Sequence, residues 1–389
     1  MRITSSGRAR IVVRTAIRTV ALVTALTWSA VELHSQGSLA SQGYGYPTGQ
    51  LSSRALGVGG ATAETDPASA INPAAIGLSS RYSISMLFEP EFRRTSVSGG
   101  EANTRTIRFP NFMLTGSVGR FAASASFTTF LDRTFSSSLT DTQIIAGDTV
   151  ASTLTNNSNG AMNDARFAVS YWVTQKLQLG AAVHGLTGEN RIFISRLFPD
   201  SVGVGGVTQA SVINFSGRMY SLGAVYSPTA KWLLGASARF GGPLDAQQDA
   251  VVIGEATAPR RVGLGASYYG IPNTTLSARF DATEWSAVDP LGSAVMTTHD
   301  ATEIGLGVDV LGPRLGGVAT IARLGFRDRQ LPFGLLGEQI GERTLSGGLG
   351  IPLGRSRGQL DLALQRAARS AAGVDERAWL ISIGFGIRP

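Results

Sequence analysis

The chain has 389 residues, of which 43% are hydrophobic and only 16% are charged, and it carries 48 glycines and no cysteine. The charged fraction is low for a soluble globular domain, and the lack of cysteine excludes disulfides and thiolate metal sites. The formal net charge is +7, but beyond the N-terminus the arginines are scattered singly, so the sequence does not support a nucleic-acid-binding surface. The three histidines are far apart in sequence, so we expect no metal and no cofactor.

The first 35 residues have the pattern of a secretory signal peptide. Five arginines precede an apolar run from Val20 to Val31, which is too short to cross a bilayer as a helix but suits the core of a signal peptide. Cleavage after Ser35 or Ala40 fits the small-residue rule. We therefore predict a signal peptide over 1–35 and an exported protein; a membrane anchor or an amphipathic helix is the alternative.

Residues 36–80 show no strand periodicity. Their central stretch, "RALGVGGATAETDPASAINPAAIG" from Arg54 to Gly77, consists mainly of small residues. Such a segment cannot build a core of its own, but it can fold tightly inside another structure.

Residues 81–389 alternate with a period of two. In "KWLLGASARFGG", Trp232, Leu234 and Ala236 share one face, while Gly235 and Ser237 share the other. Alternating segments of about ten residues with an apolar face are typical of transmembrane β-barrels. We count about fourteen, starting near residues 81, 105, 121, 163, 176, 212, 231, 259, 274, 301, 315, 343, 357 and 376.

Every second connection is tight and those between are long, as over Ser136–Met162, Gly188–Gln209 and Gly242–Thr257. Short turns at one rim and long loops at the other match bacterial outer-membrane barrels. The predicted fold is therefore all-β, a transmembrane antiparallel barrel of about fourteen strands. Its lumen is wider than side chains alone fill, so we expect residues 36–80 to plug it as an N-terminal hatch.

Charged residues fall on the predicted lumen face. The acidic members are Asp281, Glu303, Asp309 and Asp361, and the basic members are Arg239, Arg261, Arg279, Arg323 and Arg327. The arginines could receive the carboxylate headgroup of a ligand, or they could form a ladder of ion pairs with the acids. "RIFISRLF", with Phe193 and Phe198, could line a groove for an apolar tail or could simply extend a strand.

Two further residues carry predictions. Pro110 cannot donate a ladder hydrogen bond, so it predicts a bulge or kink in the second strand. His184 faces the predicted lumen, where a His–Ser pair would be needed for hydrolysis, but a lone strand histidine is usually polar lining. No nucleophile elbow, phosphate-binding loop or metalloprotease motif is present, and we expect a protein that is not an enzyme.

The stretch "RALGVGGATAETDPASAINPAAIGLSS" resembles the N-terminal hatch of the FadL-like long-chain fatty-acid outer-membrane transporters, in which an Arg-Ala-Leu-Gly-x-Gly-Gly segment leads to Asn-Pro-Ala. Ala258–Ser286 and the C-terminal strands also resemble that family. The resemblance implies a hatch or gate that includes Arg54, Gly57, Gly59, Gly60, Asn72, Pro73 and Ala74.

The resemblance further implies passive uptake of hydrophobic or amphipathic molecules across the bacterial outer membrane, with an exit through a gap in the wall near the third strand. Its partners would be such a ligand and outer-membrane lipid. The same pattern resembles PorV-type proteins, which would make the chain a partner of a secreted protein in secretion or surface attachment. A general porin is a third alternative.

Overall fold

The computed structural model describes residues 39, 45–79, 82–97, 100–145, 148–199, 205–291, 298–315, 318–353 and 357–387. The predicted signal peptide, residues 1–35, lies outside the described residues.

Long antiparallel strands make up most of the described chain. After a short strand β1 (Tyr46–Pro47), their bounds are β2 Tyr82–Val97, β3 Gly100–Val118, β4 Phe121–Asp132, β5 Phe135–Ile145, β6 Asp148–Trp172, β7 Leu177–Leu197, β8 Val207–Thr229, β9 Trp232–Gln248, β10 Val251–Thr257, β11 Arg260–Ile271, β12 Thr274–Glu284, β13 Ala301–Leu315, β14 Val318–Leu335, β15 Glu338–Leu353, β16 Gly358–Ala371 and β17 Val374–Ile387.

The strands close into a barrel, because β17 pairs with β2. Within the described residues β1, β5 and β10 are additions to the sheet, and the other fourteen strands form the closed antiparallel wall. The predicted fold class and strand number are confirmed. Closure leaves no unpaired sheet edge around the wall except where a ladder is interrupted.

The two faces of the wall differ as the alternation predicts. Trp232, Leu234, Val262, Leu264 and Phe280 are exposed on the outer face, whereas their sequence neighbours turn inward. An apolar outer face on a closed barrel is the architecture of a membrane-spanning wall. Among the described residues no helix is long and apolar enough to cross a bilayer.

Three predicted long loops are strand extensions instead. Ser136–Met162 contains β5 and the first half of β6, Gly188–Gln209 contains the ends of β7 and β8, and Gly242–Thr257 contains the end of β9 and β10. The expectation of loops was wrong because it relied on apolar alternation. These hairpins project beyond the apolar belt, where both faces can be polar.

Residues 45–79, called the plug below, lie inside the barrel. They comprise β1, a short helix α1 (Ser53–Gly57) and a 3-10 turn (Ala75–Leu78). The Ser52 hydroxyl caps α1 by accepting from the Ala55 amide at 3.1 Å. Strand β1 pairs with Leu131 and Asp132 of β4, so the plug extends the sheet at that point.

Inward-facing glycines of the wall make room for the plug. A Cβ at Gly235 would lie 2.6 Å from the Glu64 carbonyl oxygen, and a Cβ at Gly384 would lie 2.5 Å from the Ser53 Cβ. The same close approach occurs at Gly180, Gly223, Gly263, Gly305, Gly307 and Gly325. The plug therefore packs directly against the glycine-rich lumen face, since only a residue without Cβ permits this packing.

Candidate ligand site in the barrel lumen

Asn72 joins the plug to the wall. Its Nδ2 donates to the Glu64 carbonyl at 2.9 Å and to the Ala224 carbonyl of β8 at 3.2 Å, and its Oδ1 accepts from the Ala74 amide at 2.9 Å. The last bond is the local turn that an Asn-Pro sequence favours. Asn72 and Ala74 are fully buried, so these bonds have no competition from water. Pro73 stays beside Asn72, packed against Gly180 and Gly223 of the wall.

The other four residues of the hatch motif lie elsewhere in the plug, toward β13 to β16. Arg54 on α1 reaches Asp309 of β13 at 3.5 Å. Gly57 ends α1 against Gly348, and Gly59 and Gly60 adopt positive φ angles of 64° and 79°. These two glycines turn the chain from α1 toward Glu64 in a conformation that other residues rarely adopt.

Plug residue Glu64 faces an inner row of arginines. Its buried carboxylate pairs with Arg261 and accepts from the Ser237 hydroxyl at 2.7 Å. Arg279 in turn pairs with Asp281 at 2.8 Å and with Glu303 at 2.6 Å. For Arg261 and Arg279 the structure therefore shows the ion-pair ladder, one of the two alternatives that the sequence left open.

Arg239 has weaker polar contacts than its neighbours. Its guanidinium donates to the Gln50 side-chain oxygen at 3.1 Å and lies 5.0 Å from the centre of the Phe130 ring. Its Nε has no hydrogen-bond partner among the described residues. Arg239, Gln50 and Phe130 line a cavity of about 70 Å³, whose wall also includes Arg261, Arg279, Ile71 and Trp285.

Arg166 is a site candidate that the sequence reasoning missed. It is only 3% exposed, and none of its three side-chain nitrogens has a hydrogen-bond partner in the described part of the protein. Its register neighbours are Ser126 of β4 and His184 of β7. The Ser126 hydroxyl likewise has no hydrogen-bond partner within the described ranges. The alternation of β6 could have identified Arg166 from the sequence. Phe167 points outward, so its neighbour Arg166 faces the lumen.

The other two predicted arginines lie elsewhere. Arg323 is under α1 and pairs with Asp309 at 3.2 Å and Asp361 at 2.7 Å. Arg327 lies 3.5 Å from Glu342. Neither lines the cavity, so the structure brings together only Arg239, Arg261 and Arg279 of the predicted set.

Tyr46 of β1 fills a cage of arginines near Glu342. The ring lies 4.9 Å from Arg108, 4.8 Å from Arg329 and 5.0 Å from Arg369. Burial raises the pKa of the Tyr46 hydroxyl, although Arg329 opposes the rise. The neutral hydroxyl donates to the Glu342 carboxylate at 3.0 Å, which fastens the start of the plug to β15.

An apolar layer covers the arginine row on the long-hairpin side. Met162 lies on the inner face of β6 before Arg166, and Leu186 lies on β7 beyond His184. Phe130 and Trp285 stack with their ring centres 5.5 Å apart. The layer consists of Phe130, Leu131, Met162, Leu186, Phe215, Met219, Leu244, Ala246, Ala258, Trp285, Val288 and Ala301.

The predicted aromatic groove is not part of this layer. Phe193 is 42% exposed on the outer face of the β7 extension, and Phe198 follows the end of β7. The structure therefore places neither ring beside the arginine row, because inward and outward positions alternate and Phe193 has the outward parity.

The wall is interrupted between β3 and β4. These strands pair only from Asn111 to Val118, although β3 begins at Gly100. Phe109 and Pro110 together oppose the single residue Phe88 of β2, which is the bulge that Pro110 predicts. Arg108 crosses the interruption on the inner side and pairs with Asp132.

His184 belongs to a hydrogen-bonded relay. Its Nδ1 lies 2.8 Å from Asp164 and its Nε2 lies 2.9 Å from the Ser221 hydroxyl. Ser221 is 3% exposed and does not line the cavity. In the described part of the chain, no group of His, Asp and Glu side chains is arranged to hold a metal ion.

Known proteins provide a structural match. No protein-family model and no curated protein matches the chain in sequence. A solved FadL homologue from Pseudomonas aeruginosa superposes with a TM-score of 0.64 at 14% identity, covering 88% of this chain and 99% of its own. The toluene transporter TbuX of Ralstonia pickettii gives 0.57 at 18% identity, covering 87% and 98%.

A third solved structure, the CymD monoaromatic hydrocarbon channel, gives a TM-score of 0.55 at 15% identity, covering 87% of this chain and 97% of its own. The protein therefore has the architecture of a membrane-spanning β-barrel with an internal plug. More narrowly, its fold is that of the solved FadL homologue and of the TbuX and CymD channels.

Proposed function

We propose that the protein is an outer-membrane channel for passive uptake of amphipathic hydrophobic molecules, with long-chain fatty acids as the representative ligand. The observation that carries this proposal is the cavity at which the apolar layer meets Arg239. A buried apolar surface ending at a guanidinium suits a ligand with an apolar tail and an anionic head.

The headgroup would bind Arg239 and Arg166, two arginines that form no ion pair with any described residue. Arg239 retains an unpartnered Nε, and Arg166 retains all of its donors. Buried donors without acceptors are unfavourable, so a carboxylate bound at Arg239 would be stabilised there. Arg166 does not line the cavity, and the headgroup would reach it only after the plug moves. Gln50, which already bonds Arg239, would link headgroup binding to the plug.

The cavity of about 70 Å³ is too small for such a ligand, since ligand pockets usually measure several hundred Å³. Uptake therefore requires the apolar layer and the plug to move. We propose that the plug gates the lumen and that the interruption between β3 and β4 is the lateral exit. The solved neighbours named as transporters or channels of hydrocarbons support passage of apolar molecules through this fold.

A binding measurement tests the headgroup assignment. Arg239→Gln and Arg166→Gln should each weaken binding of a long-chain fatty acid by about tenfold or more, the usual worth of a charge-assisted hydrogen bond. Binding of the corresponding fatty alcohol should not change. Arg191→Gln, at an exposed position on the outer face of the β7 extension, is the control, and equal losses for acid and alcohol would contradict the assignment.

The two alternative functions, a general porin and a partner in protein secretion, require different structural features. A general porin needs an open aqueous lumen, but here the plug and the apolar layer fill it. A partner in protein secretion would use the projecting hairpins, and co-purification of a secreted protein would identify it. The cavity beside Arg239 favours the channel for amphipathic ligands.

A further inference from the structure

Five arginines point outward on one sector of the wall formed by β15, β16, β17, β2 and β3. They are Arg343, Arg366, Arg377, Arg94 and Arg105. Strand register places them in two adjacent rows. One row runs through Arg343, Ala368, Arg377, Arg94 and Asn103, and the other through Leu345, Arg366, Trp379, Phe92 and Arg105.

The rows mark the margin of the apolar belt. The row nearer the middle of the barrel contains three exposed apolar residues, Leu345 (64% exposed), Trp379 (46%) and Phe92 (42%). The next row toward the middle contains Leu364 and Ile381, which are also exposed and apolar. Two rows span only about 7 Å along the strands, so the arginines form a narrow band at the edge of the belt, on the long-hairpin side.

Aromatic rings orient two of these guanidinium groups. Arg366 lies 5.4 Å from the centre of the Trp379 ring, and Arg105 lies 5.3 Å from the centre of the Phe92 ring. Each arginine stem therefore lies on an apolar surface while its charged end stays at the boundary.

The acidic residues of this sector do not balance its arginines. Glu101 pairs with Arg94, and Asp328 lies 3.9 Å from Arg343. Arg105, Arg366 and Arg377 form no ion pair with any described residue, although Asp375 occupies the next row toward the rim.

Two outward arginines elsewhere have acidic partners, whereas Arg218 on the outer face of β8 forms no ion pair with any described residue. Arg191 pairs with Glu189, and Arg260 lies 4.0 Å from Glu284. The sector from β15 to β3 is thus a basic surface at the headgroup level of the proposed membrane.

We propose that this surface binds the phosphorylated headgroup of an anionic glycolipid in the outer leaflet, with the acyl chains lying on the apolar belt below. The inference rests on the proposed placement of the barrel in the outer membrane. Guanidinium groups bind phosphate oxygens in a bidentate manner, and the two rows present several of them at the depth where lipid phosphates lie.

The test uses the full folded chain in detergent micelles and fluorescent lipid A carrying both phosphates as the probe. A variant with Arg105→Gln, Arg366→Gln and Arg377→Gln should bind it at least about tenfold more weakly than the wild type, because each lost arginine removes an interfacial charge. A variant with Arg191→Gln and Arg260→Gln is the matched control and should bind normally. Heat-modifiable electrophoretic mobility verifies that each variant is folded.

Two further ligands, dephosphorylated lipid A and inorganic phosphate, show whether binding requires the phosphates of the lipid or only its acyl chains or free phosphate. The proposal predicts weak binding of the dephosphorylated lipid and no displacement of lipid A by inorganic phosphate at equal concentration. Equal binding by the triple variant, equal binding of the dephosphorylated lipid, or displacement by inorganic phosphate would each overturn it. Fatty-acid uptake is measured as well for the wild type and the triple variant. Uptake without the expected lipid A binding would contradict this inference alone, whereas lipid A binding without uptake would contradict only the proposed channel function.

Discussion

The side chain of Asn72 links three main-chain groups that belong to the plug turn, the plug loop and strand β8. Asn72→Ala removes all three bonds from a fully buried position, which should cost roughly 1–3 kcal/mol. We expect hydrogen exchange of amides in residues 64–78 to become about tenfold faster or more, because the plug turn opens more often.

Asn103→Ala is the control for Asn72→Ala, since Asn103 is exposed on the outer face of β3. Exchange in the plug should be unaffected by it. Unchanged exchange in the Asn72 variant would show that the remaining plug contacts hold the turn without this amide.

The inward glycines lead to a second prediction at the residue scale. Gly235→Ala would place a Cβ 2.6 Å from the Glu64 carbonyl, and such overpacking typically costs about 1–3 kcal/mol. We expect a lower thermal unfolding midpoint and more frequent ion-conducting openings in planar bilayers, because the plug must shift.

Gly341→Ala serves as the control for Gly235→Ala, because a Cβ at Gly341 would meet nothing within 4 Å. If both variants conducted and unfolded like the wild type, the inward-facing glycines of the wall would not determine the position of the plug.

At the scale of elements, sequence alternation predicted the wall but not its ends. Strands in the apolar belt alternate between lipid and lumen, so their periodicity is visible in residues such as Trp232 and Leu234. The hairpin of β5 and β6 meets a polar environment on both faces, and its sequence "SSSLTDTQII" has no continuous apolar face. This is why the sequence predicted loops there.

The interruption between β3 and β4 is the element whose role can be tested directly. The chain contains no cysteine, so Phe109→Cys, at a position 73% exposed beside the bulge, can be labelled with a bulky maleimide. Labelling should reduce ligand uptake several-fold if ligands leave through this interruption.

Leu324→Cys is the matched labelling site, because Leu324 is 66% exposed on β14, which is not adjacent to β3 or β4. Its label should have no effect on uptake. Equal uptake by both labelled proteins would exclude the interruption as the exit.

At the scale of the whole molecule, the candidate site could be predicted only in part. Arg239, Arg261 and Arg279 were recognisable because they interrupt the glycine- and serine-rich face of their strands. Met162 and Leu186 were not, because period-two reasoning assigns apolar residues of a barrel to lipid. Met162 and Leu186 belong to the same apolar cluster as Trp285 only because the barrel closes. The spacing of residues in the sequence does not reveal such contacts between distant strands.

The central claim is that the plugged lumen admits amphipathic molecules and excludes hydrophilic ones. The most direct measurement is uptake into liposomes that contain the purified protein, with a long-chain fatty acid and a sugar tested side by side against protein-free liposomes. Our account predicts protein-dependent entry of the fatty acid and no entry of the sugar. Entry of the sugar, or protein-dependent entry of neither, would contradict it.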